Sequence, residues 1–183
     1  MKKIIAILAS FAFVGAASAV SVTLENQFQT GDNGSSNSHN YSVGIKEAIT
    51  DNVAVDLGVT QFVTDVTESL STRAELGGTY TFSVPYSSLY TRVAVGDRFT
   101  GSSDYGYYSA ETGLLIPFGY GLTARVGYRY RTAFDNTIGD KTNTIRAGLG
   151  YAITNKDSVG VRYDQVRGDS QNHSYNFYYT RNF

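Results

Sequence analysis

LTARVGYRYR, running from Leu122 to Arg131, interleaves two sets of residues of opposite character. Leu122, Ala124, Val126, Tyr128 and Tyr130 form one set; Thr123, Arg125, Gly127, Arg129 and Arg131 form the other. Side chains alternate faces along a strand, so this segment has one apolar face and one face carrying three guanidiniums. Two architectures accept such a strand. A soluble sandwich buries the apolar face and leaves the charged one in water. A barrel in a membrane turns the apolar face to lipid and the charged face to a wet lumen.

Residues 1–19 argue for the membrane. They read as a secretory signal peptide, with Lys2 and Lys3 as a positive start, an apolar run from Ile4 to Val14 interrupted by Ser10, and Ala17-Ser18-Ala19 as a small-x-small cleavage pattern. That apolar run is too short to span a bilayer, and no later segment offers the roughly 18 to 20 apolar residues of a spanning helix. Lipid supplies no hydrogen bonds to a bare backbone, so an exported chain of this kind enters a membrane as a closed barrel. Residues 20–183 show no linker, charge block or low-complexity tract and are expected to form a single barrel domain.

Composition is consistent with that reading. A mean hydropathy of −0.21 is too polar for a helical membrane protein, but strand alternation averages a lipid face with a lumen face. With no cysteine among 183 residues, there is no disulfide framework, thiolate chemistry or cysteine-based metal site. The formal charge of −1, which becomes −3 once Lys2 and Lys3 are removed, argues against a nucleic-acid partner.

Alternating segments recur near 20–29, 40–49, 53–62, 71–82, 88–99, 107–116, 121–131, 142–153, 158–166 and 173–183. Most have the length a tilted strand needs to cross a bilayer. The expected fold is all-β: a transmembrane up-and-down antiparallel barrel of ten strands, with eight or twelve as alternative even counts. The connections are expected to alternate, short near 50–52, 83–87, 117–120 and 154–157, and longer and polar near 30–39, 63–70, 100–106, 132–141 and 167–172. The outward phase holds Leu24, Val43, Ile45, Leu57, Leu76, Val93, Val95, Leu114, Leu149 and Val161. Aromatics gather at both strand ends. Tyr80, Phe82, Tyr86, Phe118, Tyr120, Tyr151 and Phe183 lie toward the short turns, and Phe28, Tyr41, Phe99, Tyr107, Tyr108, Tyr130 and Tyr175 toward the loops. Two such girdles suit the two bilayer interfaces.

The final stretch HSYNFYYTRNF, His173 to Phe183, places Tyr175, Phe177, Tyr179 and Phe183 on one face. It resembles the terminal strand of bacterial outer-membrane β-barrels, whose last aromatic is read by the barrel assembly machinery. Arg181 departs from that pattern by standing on the outward phase, two residues from the end, where it can snorkel to headgroups. LTARVGYRYR and GDKTNTIRAGLGYAIT, Gly139 to Thr154, resemble monomeric porins for acidic oligosaccharides such as oligogalacturonates, which have twelve strands and arginine-lined lumens. This chain is short for twelve. The resemblance implies the outer membrane of a Gram-negative bacterium, with lipid and lipopolysaccharide around the barrel, the assembly machinery engaging Phe183, and no cofactor.

The inward phase carries Glu25, Gln27, Lys46, Asp56, Arg73, Glu75, Arg92, Arg98, Glu111, Arg125, Arg129, Arg131, Arg146, Arg162 and Asp164. Nine cations thus face five anions inside, while Asp32, Asp65, Glu68, Asp104, Asp135, Asp140 and Asp169 put the acidic surplus in the loops. Inward glycines such as Gly77, Gly113 and Gly127 are expected to make room for the long arginines. Folding each hairpin at its turn sets Lys46 near Asp56, Arg146 near Asp164, and Glu111 between Arg125 and Arg129. Few acids fall near Arg129, Arg131 and Arg146. The candidate anion contacts are therefore Arg125, Arg129, Arg131 and Arg146, with Arg92 and Arg162 beside them. Either these charges fill a closed barrel as an internal ladder, or they line a narrow pore favouring small anionic solutes. Ten strands sit just above the width that side chains fill. Catalysis ranks below both. His39 and His173 lie near loop boundaries, and His173 with Ser170 and Asp169 has no fixed triad geometry. No spacing supports a metal site.

Overall fold

Alternation becomes strand in each of the ten segments. The structure, a computed structural model, describes residues 19–31, 37–64, 70–101 and 104–183. The expected signal segment, apart from Ala19, and the loop acids Asp32, Asp65 and Glu68 lie outside the described residues. Among the described residues there are ten strands and no helix: β1 (Val20–Gly31), β2 (Ser38–Ala48), β3 (Val53–Thr64), β4 (Leu70–Val84), β5 (Ser87–Phe99), β6 (Tyr105–Gly119), β7 (Leu122–Ala133), β8 (Thr142–Ala152), β9 (Asp157–Gly168) and β10 (Asn172–Asn182). Each pairs antiparallel with its sequence neighbours, and β1 pairs with β10 to close the barrel. That seam runs from Ser21 opposite Asn182 to Gly31 opposite Asn172, and the Phe183 amide donates to the Val20 carbonyl at 2.9 Å. Closure leaves no unpaired edge.

Both four-residue turns at the short end are built alike from Ala-Ile-Thr. The Ile49 amide donates to Val53 O and the Ile153 amide to Asp157 O, both at 2.8 Å. The Thr50 hydroxyl accepts from the Val53 amide at 3.0 Å, and the Thr154 hydroxyl from the Asp157 amide at 2.9 Å. The other two turns place Tyr86 and Tyr120 at φ of 63° and 49° with almost wholly exposed side chains. Connections at the opposite end are longer, with one exception. β9 continues to Gly168, so the last connection is residues 169–171 and is no longer than a turn.

The wall is inside out relative to a soluble protein. Leu24, Leu76, Val93, Val126 and Leu149 are about half exposed on the outer face, whereas the buried set includes Asn40, Glu111, Arg129, Asp164, Ser174 and Asn176. Soluble monomers rarely expose contiguous apolar area on this scale. A bilayer is the medium that covers it. Leu57 shares the outward parity but is buried among its neighbours in the wall. Two expectations fail here. Tyr107 is not a girdle residue: adjacent residues face opposite sides, so Tyr108 points outward while Tyr107 is buried inside. Asp140 does not remain in an outer loop, because the segment after β7 carries it inward to Arg131.

Candidate functional site

The inner faces of the ten strands enclose a cavity of about 520 Å³. It is lined by Lys46, Arg73, Arg92, Arg98, Arg125, Arg129, Arg131, Arg146 and Arg162, with Glu25, Asp56, Glu75, Glu111 and Asp164. Every charged residue assigned inward by parity therefore faces one space. Lys46 stands directly opposite Asp56, Arg146 opposite Asp164, and Glu111 opposite Arg129. Register does not decide which atoms meet, because a long arginine reaches past its direct partner.

Two charged ladders result. In the first, Arg92 is gripped by Asp56 at 2.5 Å and Glu75 at 2.6 Å, and Glu75 also accepts from Arg129 at 2.5 Å and from the Tyr107 hydroxyl at 2.9 Å. In the second, Glu111 accepts from Arg125 at 3.0 Å, from the Tyr90 hydroxyl at 2.8 Å and from Arg146. Asp164 continues this ladder, 3.7 Å from Arg146 and 2.9 Å from Arg162, and Arg162 forms a two-point contact with Glu25 at 3.0 and 3.1 Å. Asp56 therefore pairs with Arg92, two strands away, rather than with Lys46 across the hairpin. Such pairs offset the cost of keeping charge in a confined interior.

The expectation that few acids fall near Arg129, Arg131 and Arg146 is overturned. Arg129 meets Glu75, Arg131 meets Asp140 at 2.5 Å, and Arg146 meets Glu111 and Asp164. Glu75 belongs to a neighbouring hairpin and Asp140 to a loop, so folding single hairpins misses both. Of the ion-paired lumen arginines Arg125 keeps the most water: its side chain is 39% exposed, and it lies over the Tyr90 ring at 4.3 Å.

Aromatic rings are the part of the interior that the sequence reading missed. Tyr90, Phe62, Tyr107 and Tyr178 share the parity of the arginines. The inward glycines serve these rings as much as the arginines. A Cβ on Gly127 meets the Tyr90 hydroxyl at 2.5 Å and one on Gly96 meets the Tyr107 hydroxyl at 2.5 Å, while Gly77 does make room for Arg92. A smaller polar cluster joins Gln27, Asn40 and Ser174, with the Gln27 amide donating to Ser174 at 2.7 Å and the Asn40 amide to Gln27 at 2.8 Å.

The histidines stand apart from this interior. His39 packs edge-on against Phe28 at 4.9 Å, and His173 lies with Tyr163 and Tyr175 on the outer wall. Ser170 lines the cavity, and Asp169 accepts from the Lys141 amide at 2.7 Å, so His173, Ser170 and Asp169 are not assembled as a triad. Among the described residues no three acidic or histidine side chains gather as metal ligands. Phe183 sits at the short-turn end, and Arg181 reaches Asp157 at 3.4 Å beside the Phe183 ring.

No protein-family model matches the chain, and the search of curated proteins finds no match. Solved structures do match its fold. An outer membrane channel from Pseudomonas putida F1 superposes with a TM-score of 0.60 at 12% identity, covering 93% of this chain and 97% of that one. The KdgM porin superposes with a TM-score of 0.51 at 12% identity, covering 88% and 99%. The same porin in complex with disordered oligogalacturonate gives 0.50 at 13% identity, covering 89% and 99%. At these identities the likeness is one of fold, the closed antiparallel barrel that those outer-membrane proteins share.

Proposed function

We propose that this protein is an outer-membrane channel of a Gram-negative bacterium, a narrow porin-like pore for passive diffusion of small anionic solutes. The observation that carries this reading is the cavity, whose lining residues comprise nine formally positive and five formally negative side chains. A lining with that surplus attracts anions, and low-dielectric walls strengthen the attraction. Arg125 is the foremost contact residue because it is both lumen-facing and partly exposed. Arg92, Arg129, Arg131, Arg146 and Arg162 set the field while engaged with carboxylates. The channel and porin among the fold neighbours support the same reading, as does the oligogalacturonate, an acidic saccharide, in one of them. Export by residues 1–19, recognition of Phe183 by the assembly machinery and a surround of lipid and lipopolysaccharide complete the proposal.

Planar-bilayer recording of the purified barrel tests it. The expected result is single-channel steps with a reversal potential on the anion side in a KCl gradient, shifted toward neutrality by Arg125→Gln. An absence of steps favours a second reading supported by the two ladders, a non-conducting structural or adhesive barrel held by internal ion pairs. Cation preference unchanged by Arg125→Gln overturns anion selection.

A further inference from the structure

We infer that Arg73 and Arg98, gathered on the ring of Phe62 toward the loop end of the lumen, form a binding site for an oxyanion such as a carboxylate or phosphate. This deepens the channel reading by naming where an anion stops, and the site's existence does not require conduction. The two residues are direct cross-strand partners on β4 and β5, so like charges face each other. Such a pair is destabilising unless something compensates it. Their guanidinium carbons lie 5.0 and 5.4 Å from the centroid of the Phe62 ring.

Six other lumen arginines, Arg92, Arg125, Arg129, Arg131, Arg146 and Arg162, each have a carboxylate within ion-pair distance. Arg73 and Arg98 form no ion pair with any described residue. Arg98 donates through Nη1 to the Tyr105 hydroxyl at 3.3 Å, while its Nε is buried with no described partner. An orphaned donor of this kind is costly, and an anion relieves it. Arg73, Arg98, Phe62, Thr60 and Ser71 all border the central cavity, so a diffusing ion reaches them.

The chemistry selects an oxyanion over a halide. Guanidinium forks match two oxygens at once, which a spherical ion cannot reproduce. The aromatic contact holds each fork by cation–π attraction and limits its motion, preorganising the donors. No ladder carboxylate lies within ion-pair distance of either arginine among the described residues; Glu75, two residues from Arg73 on the same face of β4, acts on it only at longer range.

Thermal unfolding of the full barrel in detergent tests the site, with chloride replaced by inorganic phosphate or acetate at constant ionic strength. Both oxyanions are expected to raise the melting temperature of the unmodified protein. Arg73→Gln and Arg98→Gln, made separately, are expected to weaken half-saturation by about tenfold or more, and Lys156→Gln, in the exposed short turn outside the cavity, to leave it unchanged. No shift in the unmodified protein, or the same shift in both variants, overturns the site. If either glutamine variant does not fold, Phe62→Leu keeps both charges and is expected to weaken the response. Bilayer currents read the channel proposal separately, so a barrel that binds phosphate without conducting fails that proposal and not this one.

Discussion

Gly127 shows how little slack the inner wall has. A methyl group there collides with the Tyr90 hydroxyl, which donates to Glu111 at 2.8 Å and accepts from Arg125 Nε at 2.9 Å. The ring is stiff and held at its tip, so Gly127→Ala is expected to destabilise the barrel by about 1 to 3 kcal/mol. Gly58 has the same inward parity, but a methyl group added there meets nothing within 4 Å, so Gly58→Ala is expected to be neutral or stabilising by up to about 1 kcal/mol. Urea unfolding of the two variants in bilayers, followed by gel mobility, checks the contrast; equal effects would remove the packing argument. Residue parity was the most legible feature of the sequence, since it assigned all fourteen charged lumen residues to the cavity they line. It applied equally to Tyr90, Tyr107 and Phe62, but aromatics also favour strands and interfaces, and that bias hid them. The Tyr107-Tyr108 pair held the missing signal, because neighbours on one strand cannot both face lipid.

At the scale of the strand and turn, Ala-Ile-Thr opens both four-residue turns, with the threonine hydroxyl collecting amides that would otherwise point at nothing. Thr50→Ala is expected to cost about 0.5 to 1 kcal/mol, and Thr50→Ser to restore most of it, because the hydroxyl is the working group. The same unfolding assay reads this, and a loss that serine does not rescue would assign the effect to the methyl group. Hairpin register was legible because each tight turn leaves little freedom, and Lys46 opposite Asp56 and Arg146 opposite Asp164 follow from it. Strand ends were less so. β6 runs from Tyr105 to Gly119, beyond the alternation at 107–116, because backbone pairing with β5 and β7 continues after hydrophobic patterning stops. Loop direction was not legible at all. Nothing local tells an acid such as Asp140 to turn inward, since its partner Arg131 is fixed only once β7 and the following loop are in place.

For the whole molecule, the question is whether the interior charge serves stability or permeation, and Glu111 separates the two. It is almost fully buried and is shared by Arg125, Arg146 and Tyr90. Glu111→Gln keeps the shape but removes the charge that compensates two guanidiniums, and breaking a buried pair from one side costs about 3 to 5 kcal/mol. Arg146 retains Asp164 at 3.7 Å and Arg125 keeps access to water, so the loss is expected near the lower figure. The same substitution makes the lining one charge more positive and releases Arg125 into the lumen. Stability and anion preference are therefore expected to move in opposite directions: a lower unfolding midpoint and a reversal potential further toward the anion side. Arg125→Gln is expected to do the reverse, weakening anion preference at little cost in stability, because Glu111 still holds Arg146. Paired measurements of unfolding midpoint and reversal potential on both variants check this. If Glu111→Gln lowers stability and leaves selectivity unchanged, the ladders are structural and the permeating ion does not feel them; the surplus at Arg73, Arg98 and Lys46, outside the ladders, then carries the selectivity.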